Sequence, residues 1–471
     1  MKVAIVTPEA IPFSKTGGLA DVTGTLFKEY QKMSLDAYLF LPFYKKTREC
    51  FKDKVQDTGI EIDIPLGNTI KKCNVFTDSN IFFTVNDEYF DRDGLYGTSI
   101  GEHPDNDMRY VFFCKSVLEI CKRLDINPDV IHCNDWQTAL IPLYLKTLYR
   151  EESVFEKTRS VLTIHNLGYQ GLFGAQTMEI TGFNQELFNP EGIEFYGKVN
   201  FLKAGIIGAD IITTVSMTYA KEILSPEHGF GLEGVLKRRT DSIIGIPNGI
   251  DYNEWNSAND KFLPQTYNES DLSGKLKCKE ALMEKCSLEG ATDMPLLCFI
   301  GRLSNQKGID ILSNAAPELI ARGANIVIIG EGEEVFQAAL RSLGDMLSGR
   351  LYVYTGFDDA LAHLAYAGSD IFLMPSKYEP CGLGQMIAMH YGTIPVARRT
   401  GGIIDAVKEG ETGFLFDEYS SKALIRELDR ALTVYNDREL WQNFIKNAMS
   451  RDFSWGNSAK MYLEIYSGKT A

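Results

Sequence analysis

No run of apolar residues in this 471-residue chain approaches the length needed to cross a bilayer, which excludes a helical membrane protein. The first strand-forming stretch, Lys2–Val6, is broken at once by Thr7-Pro8-Glu9 and so lacks the apolar core of a secretory signal. The nine cysteines are odd in number, scattered, and never spaced C-x-x-C. That excludes a disulfide scaffold and a cysteine-based zinc site, and predicts a reducing cytosolic compartment. Positive charge is in deficit: 48 Lys and Arg against 63 Asp and Glu leave a net charge of -15, which argues against nucleic acid as the main partner. No G-x-x-x-x-G-K-[ST] phosphate loop and no short-period repeat is present. What remains, 44% hydrophobic and 24% charged, is an ordinary globular composition long enough for two or three domains.

The most informative stretch is Lys15-Thr16-Gly17-Gly18-Leu19-Ala20-Asp21-Val22. It follows the apolar strand after a short loop holding Pro8 and Pro12. It opens a helix, because Leu19, Val22, Leu26 and Tyr30 recur at helical spacing. Adjacent glycines at a helix start let backbone N–H groups approach an anion, and the helix dipole favours negative charge there. Lys15 adds a mobile cation, and Asp21 lies one turn in. The arrangement suits a ligand with both phosphates and hydroxyls, although a Gly-Gly pair by itself is also an ordinary tight turn.

Strand-like runs alternate with helical patterns throughout, the signature of parallel α/β sheets. One series includes Ala37–Leu41, Val130–Cys133, Val161–His165 and Ile211–Val215; a second includes Leu296–Ile300, Ile326–Gly330, Leu351–Thr355, Ile371–Pro375 and Ile394–Ala397. Between them lies Ile246–Asp251, whose Asn248-Gly249 permits positive φ. Two Rossmann-like domains are therefore expected, residues 1–247 and 248–453, facing each other across a cleft. The amphipathic stretch from 454 to 471 is expected to form a helix that packs back on the first domain, although capping its own domain fits the periodicity equally.

Polar motifs sit directly after strands, where open α/β sheets bind ligands. They are Asn134-Asp135-Trp136, His165-Asn166-Leu167-Gly168, the run Gly301–Gly308 containing Arg302 and Lys307, and Ser376–Gly384 containing Glu379. Singly, each has a structural explanation. Asp135 could cap the following helix, His165 could be a hydrogen-bonded core residue, Arg302 and Lys307 could be solvated charges, and Glu379 a surface turn residue. Lys307 is harder to dismiss, since a cation at a helix N-terminus is disfavoured unless an anion binds there. Three weaker signals are discounted: Asp91-Arg92-Asp93 lies in a Gly-rich turn, Gly330-Glu331-Gly332 lacks a third glycine, and Cys381 has no adjacent base and reads as packing.

With these residues in view, the chain resembles bacterial-type glycogen and starch synthases over essentially its whole length. The matching segments are Lys15–Val22, His132–Trp136, His165–Gly171, Val235–Asp251, Gly301–Asp310, Pro375–Gly392 and Arg399–Gly402, in the family's order. The resemblance implies an α/β GT-B fold and transfer of glucose from ADP-glucose to the non-reducing 4-OH of an α-1,4-glucan, with retention and without metal or other cofactor. It implies that Arg302 and Lys307 bind the diphosphate, with Lys15 and the Gly17 and Gly18 amides approaching from the opposite domain. His165 would contact the donor glucose near its 6-OH, Asp135 would lie beside sugar and acceptor, and Glu379 would position the donor glucose. Asp21, Asn166 and Asn248 would line the cleft, with Cys381, Gly382, Leu383 and Gly384 at the donor and Gly401 and Gly402 leaving space for its phosphates.

Two positions depart from related sequences. Residue 384 is Gly where some relatives carry Thr or Ile, and residue 387 is Ile, so the E-x7-E spacing of other retaining GT-B enzymes is absent. The rivals are a UDP-glucose-using synthase, a catalytically silent glucan-binding GT-B protein, and a glucan phosphorylase, for which the chain is short. The expected location is cytoplasmic, or the plastid stroma for a trimmed plant or algal enzyme, with no membrane or nucleic-acid partner.

Overall fold

In the computed structural model, which describes residues 1–98 and 101–468, the chain forms two compact units. The first comprises Met1–Val215, Ala220–Pro247 and Trp455–Ala471; the second comprises Ser216–Tyr219 and Asn248–Ser454.

The first unit is built on a nine-stranded sheet. Six of its strands form a continuous parallel array in the order Ile243–Gly245, Ile211–Thr214, Arg159–Ile164, Val130–Asn134, Lys2–Val6 and Asp36–Pro42. Ile81–Val85 joins parallel to Asp36–Pro42, and the antiparallel hairpin Gln56–Leu66/Thr69–Asp78 completes the edge. That hairpin escaped the sequence reading. Its outer strand alternates exposed residues with half-buried or buried ones, the pattern of a sheet covered on one face only, whereas the inner strands are nearly continuous apolar runs. Val3, Ile5, Val22, Leu26 and Tyr30 share one buried core with Trp455, Ala459, Tyr462 and Ile465.

These last four residues form the apolar face of the C-terminal helix, Trp455–Tyr466, and they are spent on the first unit. A buried hydrogen-bond relay fastens it. Tyr30 Oη donates to Tyr466 Oη at 2.9 Å, Tyr466 Oη lies 2.7 Å from His132 Nδ1, and His132 Nε2 lies 2.6 Å from Thr163 Oγ1. Because Tyr466 receives the Tyr30 proton and donates its own, His132 accepts at Nδ1 and carries its proton on Nε2. Residues 469–471 of the expected helix lie outside the described residues.

The second unit carries a six-stranded, all-parallel sheet in the order Leu351–Thr355, Asn325–Gly330, Leu296–Ile300, Ile371–Met374, Ile394–Arg398, Phe414–Phe416. The segment after the second unit begins is tied down by Trp255 stacked on His363 at 4.0 Å, with Asp260 accepting from Tyr391 Oη and paired with His363 at 2.6 Å each. Asn248-Gly249 does not use the left-handed backbone its sequence permits.

Both sheets have a switch point. In the first, Lys2–Val6 pairs with Asp36–Pro42 on one side and Val130–Asn134 on the other; in the second, Leu296–Ile300 pairs with Asn325–Gly330 and Ile371–Met374. Consecutive helical crossovers leave such a strand in opposite directions, so the loops beyond its carboxyl end splay apart and leave a crevice.

Candidate active site

At the first switch point Asp135 lies within reach of the Glu9 charge. Asp135 follows the strand Val130–Asn134 in the left-handed region, φ +56°, which costs a non-glycine residue energy. It does not cap the following helix, which starts at Leu140 behind Ala139. Its Oδ1 instead accepts the backbone N–H of His165 at 2.7 Å, and the Asn166 N–H also points to its carboxylate. Even so, burial pushes the Asp135 carboxyl up to about 7, with the negative charge of Glu9 adding to the rise.

His165 is half-buried, and burial drops its imidazole to about 3, so it is neutral at physiological pH. Its Nε2 lies 2.9 Å from Asn134 Oδ1, while the Asn134 amide nitrogen donates to the Val6 carbonyl at 3.1 Å. The Asn134 oxygen must therefore accept, which places the His165 proton on Nε2. His132, three residues before Asp135 and also depressed to about 3 by burial, serves the relay to the C-terminal helix.

Gly17 and Gly18 stand at the start of the helix Gly18–Lys32, and no side chain caps it. Lys15 Nζ reaches Asp21 Oδ1 at 2.8 Å, so the cation lies over the first helical turn. A residue that the sequence does not single out, Glu9, completes this cluster. Glu9 is 3% exposed and its carboxylate accepts the Thr16 N–H at 2.5 Å. The only sequence signal for it was an acid lodged between an apolar strand and the octapeptide.

At the second switch point the loops 301–308 and 375–383 are zipped together. Lys377 N–H donates to the Gln306 carbonyl at 2.8 Å, and a Cβ on Gly308 (φ +75°) would fall 2.0 Å from the Pro375 carbonyl oxygen. Glu379 is no surface turn residue: it is 4% exposed, and its Oε2 receives Lys307 Nζ at 2.5 Å and Ser376 Oγ at 3.1 Å. Lys307 is more exposed than its partner, so the pair presents its cationic face outward. Arg302 lies exposed on the same loop.

Around this pair the sequence-marked glycines act through close packing. A Cβ on Gly401 would meet the Glu379 carbonyl oxygen at 1.9 Å, and one on Gly402 the Cys381 carbonyl oxygen at 2.3 Å. Gly402 N–H donates to the Glu379 carbonyl at 3.1 Å. Their lack of a Cβ is thus required by the approach to the backbone of 379–381. Gly382 takes φ +75° beneath Gln385, Leu383 precedes the helix Gly384–His390, and Gly384 faces the Phe372 ring, 2.8 Å from a hypothetical Cβ. Cys381 is buried, with its thiol pushed up to about 12 by desolvation, and receives the Asn248 N–H. Asn248 is 7% exposed, and its Oδ1 has no hydrogen-bond partner among the described residues. Among the described residues no group of three or more His, Cys, Asp and Glu side chains is arranged to hold a metal ion.

The first switch point therefore offers a hydroxyl-binding set around Asp135 and His165, the second a cation braced by a buried carboxylate. Comparison with known proteins gives this geometry its context. Residues 2–238 match the family described as starch synthase catalytic domain, and residues 285–451 match glycosyl transferases group 1. A glycogen synthase of Thermodesulfovibrio yellowstonii is 51% identical over 99% of this chain and 98% of its own length. This chain belongs to the glycogen and starch synthase family.

A glycogen synthase of Geotalea daltonii is 44% identical over 99% of this chain and 98% of its own. Among solved structures, the catalytic domain of starch synthase IV from Arabidopsis thaliana, bound to ADP and acarbose, superposes with a TM-score of 0.91 at 33% identity, covering 99% of each chain. A sucrose-phosphate synthase from Thermosynechococcus elongatus, at 16% identity and a TM-score of 0.62 over 99% and 98%, shares the fold alone. The fold is GT-B, each unit a Rossmann-like domain, and the protein is a glycosyltransferase of the glucan synthase family.

Proposed function

We infer that this glucan synthase transfers glucose from ADP-glucose to the non-reducing 4-OH of an α-1,4-glucan, with retention at the anomeric carbon and without a metal. The observation that carries the reading is the Lys307–Glu379 pair at 2.5 Å. A cation held by a buried carboxylate at a sheet's switch point is preorganised for the charge that develops on a departing diphosphate. Removing one such fixed contact typically costs about 2.7–4 kcal/mol of barrier. Arg302, on the same loop, shares that charge, and the two cations take the place a metal ion would have.

The remaining roles follow from hydrogen-bonding character. Glu379 and the Cys381–Gly384 run receive hydroxyls of the donor glucose, and Gly401 and Gly402 keep the backbone of 379–381 compact beside its phosphates. Asn248 supplies the unpartnered Oδ1 to a sugar hydroxyl. Neutral His165 hydrogen-bonds near the glucose 6-OH, while Asp135, Asn166 and Asp21 face sugar and acceptor. Lys15 and the Gly17 and Gly18 amides bind phosphate oxygens. A starch synthase relative bound to ADP and acarbose supports adenine nucleotide and α-glucan as the ligand classes. Family membership is the ground for assigning retention and a cytoplasmic location.

The test is incorporation of glucose into glycogen from ADP-glucose and, separately, UDP-glucose, with excess EDTA. Strong incorporation from ADP-glucose alone is expected. Preference for UDP-glucose would overturn the donor assignment, loss with EDTA would overturn metal independence, and no product from either donor would sink the reading.

A further inference from the structure

Glu9 is built into the first unit more firmly than packing alone requires. Its carbonyl accepts Thr7 Oγ1 at 2.8 Å and, from the helix Gly18–Lys32, Thr23 Oγ1 at 2.7 Å. Its carboxylate turns the other way and grips Thr16, taking the backbone N–H at 2.5 Å and the hydroxyl at 3.0 and 3.1 Å. Thr16 itself is exposed and stands between Lys15 and Gly17. An exposed loop is thus anchored at its middle by a buried acid.

The surroundings do not favour a charge there. Burial pushes the Glu9 carboxyl up to about 7 against the hydrogen bonds from Thr16 and the Tyr96 side chain, which favour the carboxylate; the Asp21 charge on the helix adds to the rise, and Asp135 beyond the strand Val130–Asn134 and the phenols of Tyr44 and Tyr110 also lie near. An apolar residue would fill the same volume without that cost. What a carboxylate offers in return is two acceptor oxygens for the two donors of one residue, and such charge-assisted bonds are the strong and geometrically defined ones.

We propose that Glu9 is the positioning residue of the Lys15–Gly18 loop, holding Thr16 so that Lys15 and the Gly17 and Gly18 amides stand ready for the phosphates of the sugar nucleotide. The proposal rests on the phosphate role given to that loop above. When the carboxylate is protonated one oxygen becomes a donor and the grip weakens, so the loop loosens as pH falls below about 7.

The experiment compares the full chain with its Glu9→Gln and Thr16→Val variants. Hydrogen exchange across residues 15–19 is measured without substrate, and KM and kcat for ADP-glucose at pH 6–8. Glu9→Gln is expected to speed exchange in that segment and to raise KM for ADP-glucose roughly 10- to 100-fold, as for loss of a hydrogen bond to a charged group. KM for glucan stays unchanged, and the pH dependence of KM for ADP-glucose shrinks to the part that Asp135 contributes. Thr16→Val, which keeps the N–H bond, shows a smaller rise, and the double variant is no worse than Glu9→Gln. Unaltered exchange in Glu9→Gln, or a lower melting point with KM unchanged, overturns the proposal. If Glu9→Gln fails to fold, Thr16→Val decides by the same two readouts. Faster exchange in a chain that makes no glucan from ADP-glucose would instead place the failure in the functional reading.

Discussion

Replacing Asp135 by Asn tests the electrostatics of the first switch point without altering its shape. Burial lifts this carboxyl from 3.8 to about 7. A folded-state value above the unfolded one means that the fold is favoured while the acid is protonated, so stability is fully present below pH 3.8 and lost as pH rises toward 7. At 1.36 kcal/mol per pH unit, the part lost between pH 5 and pH 8 is about 2–3 kcal/mol. The wild-type curve alone cannot reveal this. His132 and His165, both depressed to about 3, contribute stability that is present above 6.5 and lost as pH falls toward 3, a slope of the opposite sign.

The difference between variant and wild type cancels the histidines, and the change of that difference with pH is free of the pH-independent cost of giving an amide the backbone donors of His165 and Asn166. Glu9, which feels the Asp135 charge, titrates in the same window and adds in the same direction. Asp135→Asn is therefore expected to gain stability on wild type between pH 5 and pH 8. At about 2–4 °C per kcal/mol for a unit of this size, the relative melting temperature rises by roughly 5–10 °C. Calorimetric melting of both proteins at pH 5, 6, 7 and 8 measures it. Parallel curves, or a variant that loses ground with rising pH, would refute the account.

Three further outcomes follow from the geometry. Lys307→Ala removes the braced cation, and kcat/KM for glucan synthesis is expected to fall 10²–10³-fold, a loss of about 2.7–4 kcal/mol; activity within threefold of wild type would remove Lys307 from the mechanism. Gly308 and Gly410 both take positive φ, +75° and +74°, but only Gly308 has a backbone oxygen where a Cβ would go. Gly410→Ala should cost about 1–2 kcal/mol and Gly308→Ala clearly more, and equal melting-point losses would count against the close approach. Tyr466→Phe leaves the Tyr30 hydroxyl and His132 Nδ1 unpartnered in the core, for about 1–3 kcal/mol by thermal or urea denaturation; an unchanged melting point would mean the relay does not hold the C-terminal helix.

Much of the candidate site is legible in the chain because it lies directly after strands. Apolar runs such as Val130–Cys133 and Leu296–Ile300 announce themselves by composition, and in a parallel sheet the residues that follow them must stand at the carboxyl edge. Asp135, His165, Lys307 and Glu379 stand out as candidates for this reason, and Asn134 stands in the same motif as Asp135, but neither Glu9 nor the task of Asn134 is marked by position along the chain. Glu9 matters only because the chain doubles back to bring Thr16 against it, and Asn134 only because its amide spans from Val6 to His165. Nothing in local spacing records either contact. The edge hairpin Gln56–Asp78 was missed for a related reason, since half-exposed strands lack a continuous apolar signal.

The sequence by itself determined the two α/β series, the helix-opening octapeptide, the placing of polar motifs after strands, and the family to which they belong. These rest on composition and period, which are properties of neighbours along the chain. Tertiary structure alone decided what each polar group is. It made Asp135 a strained acceptor of backbone N–H groups and not a cap, Glu379 a buried brace and not a surface turn, and His132 a structural relay beside the neutral His165. It also set Gly401 and Gly402 against the backbone of residues 379–381, where a Cβ would meet a carbonyl oxygen. Charge state, burial and hydrogen-bond partner depend on what surrounds a side chain in space, and those surroundings come from residues tens to hundreds of positions away.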